Sequence, residues 1–250
     1  MTNWPLKGTA SFLSSFIPIR KVYCMSDRFP AAGAFPIYRP FGERMGLIGE
    51  PAASPLKSLL DRILAFAILI VAFPVIFLVA VAIRLDSPGP VFFRQLRFGL
   101  GGEEVRITKF RTMHSASADQ GGCRQASRND ERVTRVGAFL RKRCLDELPQ
   151  LWDVICGRMS LVGPRPHPVR MMIADQLASQ VISGYGFRLR TLPGITGLAQ
   201  VEGNRGPISD VAMGQARIDL DNAYIDHWSL WLDLKILLRT VSVPLQKGCY

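Results

Sequence analysis

Asp146 and Glu147 stand side by side, boxed between Arg141, Lys142 and Arg143 before them and Arg158 and Arg165 after them. Adjacent carboxylates among guanidinium and ammonium groups suit charge chemistry: a carboxylate can attack an electrophilic centre, take a proton or hold a hard cation, and the arginines can hold an anion against it. Leu148, Leu151, Trp152 and Ile155 follow at three- and four-residue spacing. That spacing predicts a helix from about Asp146 to Cys156, closed by Gly157, with Pro149 in its first turn. At such an end Asp146 is expected to be ionised, and the basic triplet beside it suits a bound phosphate. The same placement also fits a plain N-cap at Asp146 with Glu147 as dipole partner.

Further cations fall at positions that can face an anion. Val91 to Gln95 and Val105 to Arg111 read as the two strands of a hairpin, joined by a turn through Gly99, Gly101 and Gly102. The glycines could also cradle a phosphate, although no P-loop or dinucleotide fingerprint is present. Strict alternation from Val105 and Ile107 puts Lys109 and Arg111 on the inward face, unless the strand stops at Thr108 and leaves both in solvent. Arg165 lies between Pro164 and Pro166, which restrict the backbone around a guanidinium suited to phosphate or carboxylate. Arg188 and Arg190, ahead of Leu192-Pro193-Gly194-Ile195-Thr196-Gly197, form a second basic patch. His114, His167 and His227 are scattered and carry no assigned role.

These residues need elements to position them. Ile63 to Ile83 is a run of apolar residues with no charge, long enough to cross a bilayer core, which takes about 20 residues. Pro74 sits at its centre, and basic residues flank both ends: Lys57 and Arg62 before, Arg84, Arg94 and Arg97 after. A single crossing favours positive charge on one side, so the pattern points to a re-entrant helix-break-helix that returns at Pro74. A kinked transmembrane span is the plainer alternative, and a buried core helix a third. Residues 1–56 read as a flexible extension without a core of its own, and 115–130 as a mobile loop over whatever Lys109 and Arg111 face. A helix is expected over Val169–Ser183. The stretch Asp219–Leu238, with Tyr224, Trp228 and Trp231 among leucines and charges, suits a helix in a lipid interface or one packed on a core. The fold class is therefore α+β and mainly helical, membrane-associated, with a short hairpin and interfacial amphipathic helices.

The net charge of +11 implies an anionic partner: a phosphorylated small molecule, an anionic membrane surface or nucleic acid. No helix-turn-helix, RRM or aromatic-basic stacking pattern supports nucleic acid. The five cysteines, at 24, 123, 144, 156 and 249, indicate neither a disulfide framework nor a zinc site, and imply a reducing, cytosolic setting for the soluble part.

From about Leu56 to Leu245 the chain resembles the bacterial sugar transferases that begin surface-polysaccharide synthesis, the monotopic polyprenyl-phosphate phosphoglycosyl transferases. The matching segments are Ser87 to Gln95, Lys109-Phe110-Arg111-Thr112-Met113, Leu145 to Leu151, Met159 to Pro166 and Pro193 to Gly197, in this order. The resemblance implies a re-entrant membrane helix at 57–86 and a cytosolic transferase domain at 87–250, at the bacterial inner membrane. It implies transfer of a hexose 1-phosphate from a UDP-sugar to undecaprenyl phosphate, releasing UMP, as the first membrane step of exopolysaccharide or capsule synthesis. By the same resemblance Asp146 is the nucleophile, Glu147 helps to hold Mg²⁺, and Lys109, Arg111, Arg141 and Arg165 contact phosphates or organise the pair.

Where members commonly carry a basic residue before Pro-Gly-Ile-Thr-Gly, this chain has Leu192, and Arg190 is the candidate substitute. Phe73 precedes Pro74 where members often have serine, and Asn204 stands where glucose-transferring members usually have tryptophan. Glucose is the favoured sugar, with galactose next. Inner-membrane lipid, a second copy of the chain and polysaccharide-assembly proteins are the remaining candidate partners. A catalytically silent membrane scaffold on the same fold, or direct transfer with Asp146 as general base, would use the same residues.

Overall fold

The computed structural model describes residues 50–115, 125, 130–173 and 175–246. The first 49 residues and most of the expected 115–130 loop lie outside them. After a single turn at Glu50–Ala53, helix α1 spans Pro55–Asp86. The Ser54 hydroxyl accepts from the Lys57 amide at 3.3 Å, and Pro55 occupies the first turn, where no N–H is needed. At the other end Ser87 turns extended and its amide closes on Ile83 O at 3.3 Å.

The 32-residue helix continues across Pro74, so the expected interruption into two helices is not seen. A proline removes one hydrogen bond and crowds the carbonyl four residues back, which bends a helix without having to break it. Among the described residues α1 is the one helix long and apolar enough to cross a membrane. Its outward side chains, including Phe66, Ile70, Val71, Phe73, Phe77 and Leu78, are exposed.

Both ends of α1 are nevertheless fastened to the rest of the chain. Near its start, the buried Lys57 ammonium lies 2.7 Å from Asp233, and Ser160 Oγ donates to Asp61 at 2.6 Å. Near its end, Asp86 accepts from the Val136 amide at 3.2 Å, and Arg111 takes the last carbonyls.

The expected hairpin is present as β1, Phe92–Phe98, antiparallel to β2, Glu104–Phe110, with Phe92 opposite Phe110 and Gln95 opposite Ile107. Gly101 and Gly102 in its turn take positive φ. Helix α2, Arg135–Lys142, and helix α3, Gln150–Ile155, frame the carboxylate pair, with a 3-10 turn at Leu145–Glu147 between them. Strand β3, Ser160–Val162, pairs in parallel with a later strand at Gly194–Thr196.

Between those two strands, the helix expected over 169–183 is replaced by β4, Met172–Ile173, paired with β5, Gln176–Leu177, and by one turn of helix at Ala178–Val181. Asp175 sits at φ 63° in the intervening turn, a conformation aspartate tolerates. Met171, Ile173, Ala178 and Ile182 enter a common cluster with Phe98 and Tyr185, so the apolar side chains are buried without helical periodicity.

The strand at Gly194–Thr196 is β6. A Cβ on Gly194 would come within 2.1 Å of the Gly163 amide, so the two glycine-proline segments can lie together only without side chains at the contact. Two helices finish the fold, α4, Val211–Asp226, and α5, Leu230–Gln246. The main core joins Ala65 of α1, Ile107 of β2, Leu151 and Val154 of α3, Leu161 of β3, Tyr224 of α4 and Ile236 of α5. Tyr224 is buried while Trp231 is exposed, so the C-terminal segment both packs on the core and presents an aromatic face outward.

Candidate active site

The carboxylate pair lies where α2, β2, α3 and the Pro164–Pro166 segment converge. Asp153, fully buried on α3, accepts from the Thr108 amide at 2.8 Å and from Arg158 at 2.7 Å. It thereby fixes β2 immediately before Lys109. Lys109 Nζ then reaches Glu147 Oε1 at 2.6 Å. From the opposite side Arg165 grips the same carboxylate with both nitrogens, Nη2 to Oε1 and Nη1 to Oε2, the latter at 3.0 Å. Arg141, in the last turn of α2, is held by its Nε donating to Thr112 Oγ1 at 2.8 Å.

The charges act on one another unequally. Burial pushes Glu147 up, but the Arg165 guanidinium and the Lys109 ammonium outweigh it and hold the carboxyl well below the usual range. Lys109 is drawn below the ordinary lysine value by burial, against the pull of Glu147. Asp146 is raised, first by burial, with Glu147 adding to it and Lys109, Arg141 and Arg165 opposing.

The helix expected to begin at about Asp146 begins later. Asp146 sits in the 3-10 turn, and α3 starts only after Pro149, so burial rather than a helix dipole is the largest influence on its proton affinity. Its carboxylate accepts no hydrogen bond among the described residues, while three cations lie around it. Cys144, just upstream, has φ 55°, a left-handed conformation uncommon outside glycine.

Lys109, Arg141, Asp146, Glu147 and Arg165 are thus brought together. Arg111 and Arg190 are not. Strand β2 ends at Phe110, and Arg111 just beyond it is buried as the alternation expects, but away from the carboxylate pair. The Arg111 guanidinium instead donates to Ser87 O at 2.7 Å, Pro88 O at 2.6 Å and Ile83 O at 3.2 Å, closing the end of α1. Arg190 stacks over Phe187 and pairs with Asp226 at 2.6 Å. Leu192 packs its carbonyl toward Gly163.

The pair also bears on a metal. Among the described residues no group of three or more His, Cys, Asp or Glu forms a protein cage. Mg²⁺ does not need one, since it commonly takes one or two carboxylates and completes its shell with water and substrate phosphate. Asp146 has both oxygens uncommitted and Glu147 Oε2 accepts from one donor only, so this donor set fits such a cation.

Sequence reading missed Asp153 and, behind Arg165, the buried partners that join Arg188 and His167 into a polar cluster. There Arg188 pairs with Asp221 at 2.8 Å, and His167 Nδ1 meets the Tyr185 hydroxyl at 3.1 Å. Their only sequence signal is charge placed among apolar neighbours.

The model of the family described as bacterial sugar transferase matches residues 52–247. The chain belongs to the bacterial sugar transferase family. As a member it is a transferase, and the carboxylate pair and its cations lie inside the matched region. The chain is similar to the UDP-glucose:undecaprenyl-phosphate glucose-1-phosphate transferase of Caulobacter vibrioides, 50% identical over 196 residues, covering 78% of this chain and 72% of the relative. A protein of the same name from Escherichia coli K12 is 45% identical over 186 residues, 74% of this chain but 39% of the relative. The exopolysaccharide production protein PSS of Rhizobium leguminosarum bv. phaseoli is 41% identical over 193 residues, 77% of this chain and 96% of the relative.

Proposed function

We propose that this transferase moves glucose 1-phosphate from UDP-glucose to undecaprenyl phosphate, forming undecaprenyl diphosphoglucose and UMP. The observation that carries the reading is the division of labour in the carboxylate pair. Glu147 is held by Lys109 and Arg165 with room left at Oε2, while Asp146 beside it has open oxygens in a cationic field. The names of the Caulobacter vibrioides and Escherichia coli relatives supply the sugar and the lipid.

In this reading Asp146 attacks the sugar-bearing phosphorus of the donor. The bond from that phosphorus to the bridging oxygen breaks, and UMP leaves with the electron pair. A phosphate oxygen of the lipid then attacks the acyl phosphate, restoring the Asp146 carboxylate. Lys109, Arg141 and Arg165 neutralise the phosphate oxygens as charge moves toward the leaving group, in a setting where they need little reorganisation. Asp146 and Glu147 would hold Mg²⁺, which supplies further charge neutralisation at the same oxygens. The raised proton affinity of Asp146 also suits a direct transfer in which it serves as general base.

The lipid acceptor requires the site to lie at a membrane. The exposed apolar side of α1 and the exposed Trp231, Leu234 and Leu238 of α5 supply a surface for it. Both ends of α1 are fastened to the same domain, through Asp233 and Ser160 at one end and Arg111 and Val136 at the other. This supports a helix that enters and returns on one side, the cytosolic face of the inner membrane, where UDP-sugars are available.

The test is UMP release by detergent-purified protein with Mg²⁺ and undecaprenyl phosphate across a panel of UDP-sugars. Release with UDP-glucose that depends on the lipid supports the reading. Release with another sugar alone corrects the substrate, and silence with folded protein overturns the activity. For topology, cysteines placed at Ser54 and Ser87 should label from one side of sealed vesicles, and labelling from opposite sides would establish a span.

A further inference from the structure

We propose that Arg188, locked by Asp221, is a positioning residue of the transferase: it holds the backbone of Arg165 and so sets the arginine fork on Glu147. The inference rests on the reading of Arg165 and Glu147 given above.

The four consecutive carbonyls of Pro164 to His167 are each captured by a different donor. Pro164 O accepts from the Gly194 amide at 2.9 Å, and His167 O from the Phe98 amide at 3.1 Å. The two between them have no strand partner. Pro166 O accepts from Arg97 Nη1 at 2.7 Å, and Arg165 O accepts from Arg188 Nη2. Pro164 and Pro166 lack an N–H, so this segment has only half the usual amide donors to tie it down. Side-chain donors from outside take over that work.

Arg188 is built to deliver such a bond. It is 2% exposed and comes from the 3-10 segment Tyr185–Arg190. Its Nε and Nη2 reach Asp221 Oδ2 at 2.9 and 2.8 Å, and its guanidinium lies over the Tyr185 ring at 5.5 Å. The Tyr185 hydroxyl in turn meets His167, two residues beyond Arg165. A planar fork can bind a carboxylate and a carbonyl at once, which a lysine ammonium cannot do with the same geometry. A buried pair like this adds little net stability over an apolar pair of the same size, so its presence calls for another explanation. Placing Arg165 supplies one: the carbonyl of the residue that grips Glu147 is the carbonyl that Arg188 fixes.

The experiment compares Arg188→Lys and the charge-neutral double variant Arg188→Met/Asp221→Leu with wild type, each also in an Arg165→Lys background. The double variant removes both charges of the pair, while the buried Arg217, which also feels Asp221, keeps its bond to Gly206 O; Arg188→Lys, which keeps a cation beside Asp221, is the second variant should the double one fail to fold. If a shift of about 1 Å in a catalytic group costs on the order of a hundredfold, the partial loosening expected here lowers kcat by about tenfold, with KM for the UDP-sugar changed less than about twofold. In the Arg165→Lys background the same changes should cost less than about twofold more, because they act through Arg165.

Amide exchange gives a readout independent of turnover. Peptides containing Phe98 and Gly194, whose amides bond to the segment, should lose protection in both variants. Full kcat, additive losses in the Arg165→Lys background, or unchanged exchange at Phe98 and Gly194 would each overturn the proposal. Wild-type protein silent with every UDP-sugar would instead overturn the reading of the reaction, and the exchange data would still decide whether Arg188 holds the segment.

Discussion

Glu147→Gln removes one charge at almost constant shape. In the native site Glu147 accepts from Lys109 at 2.6 Å and from both Arg165 nitrogens. With the glutamine oxygen kept at the Oε1 position, two of these bonds become neutral-acceptor bonds, and the new amide nitrogen faces Arg165 Nη1 donor to donor. A charge-assisted bond contributes about 1.5–3 kcal/mol against about 0.5–1.5 for a neutral one, so the loss approaches 3 kcal/mol. Arg165 is about a third exposed, and solvent screening reduces this to about 2 kcal/mol. For a chain of this size that corresponds to a Tm lowered by roughly 4–8 °C.

The pH dependence follows from the depressed acidity of Glu147. A carboxyl held below its unfolded value contributes stability that is complete above the unfolded pKa and lost as pH falls toward the folded one. The difference between wild type and variant should therefore be largest at neutral pH and shrink below about pH 4.3, the ordinary glutamate value. Thermal unfolding in detergent at pH 7, 5, 4 and 3 measures it. Equal Tm values at pH 7, or a difference that stays constant down to pH 3, would refute the claim that Glu147 is the shared acceptor of Lys109 and Arg165.

Three further changes probe the frame and the cation. Arg111→Met should lower Tm by freeing the carbonyls of Ile83, Ser87 and Pro88 while leaving KM for the UDP-sugar within about twofold; a large rise in KM at unchanged Tm would place the guanidinium on substrate. Lys57→Met leaves Asp233 buried with only Tyr224 and Trp228 as partners, and removing one member of a buried pair costs about 3–5 kcal/mol. Unfolding of Lys57→Met beside Lys57→Met/Asp233→Leu should show recovery in the double variant, and an unchanged Tm in the single one contradicts the fastening of α1. Chelation by EDTA should abolish UMP release and added Mg²⁺ restore it, whereas turnover in excess EDTA would remove Asp146 and Glu147 from cation binding.

The parts legible in the sequence were those set by local punctuation and pattern. Glycines around residue 100 and alternation on both sides announced the hairpin, and Pro74 with flanking cations marked α1 as unusual. The arginines around Asp146 and Glu147 pointed to the site because unlike charges crowd within a few residues there. Alternation places Arg111 inward, and it is buried, but a face count cannot name the partner: its guanidinium meets the carbonyls at the end of α1 rather than the carboxylate pair. The segment 169–183 misled because Met171, Ile182 and their neighbours fit a helical face as well as the two short strands and turn they form.

Asp153 and the Arg188–Asp221 pair were out of reach for a different reason. Their meaning lies in contacts 45 and 33 residues apart, which only the packed chain brings together. The setting of Asp146 is hidden on the same ground: local sequence suggests a helix end, while burial by distant elements raises its proton affinity.

The measurement that bears most directly on the central claim is exchange of labelled UMP into UDP-glucose by purified protein without any lipid acceptor, in wild type and Asp146→Asn. A covalent route through Asp146 predicts lipid-independent exchange in wild type and none in Asp146→Asn. Wild-type protein that transfers sugar phosphate to undecaprenyl phosphate yet shows no exchange without lipid would contradict it, and would leave Asp146 as the base of a direct transfer.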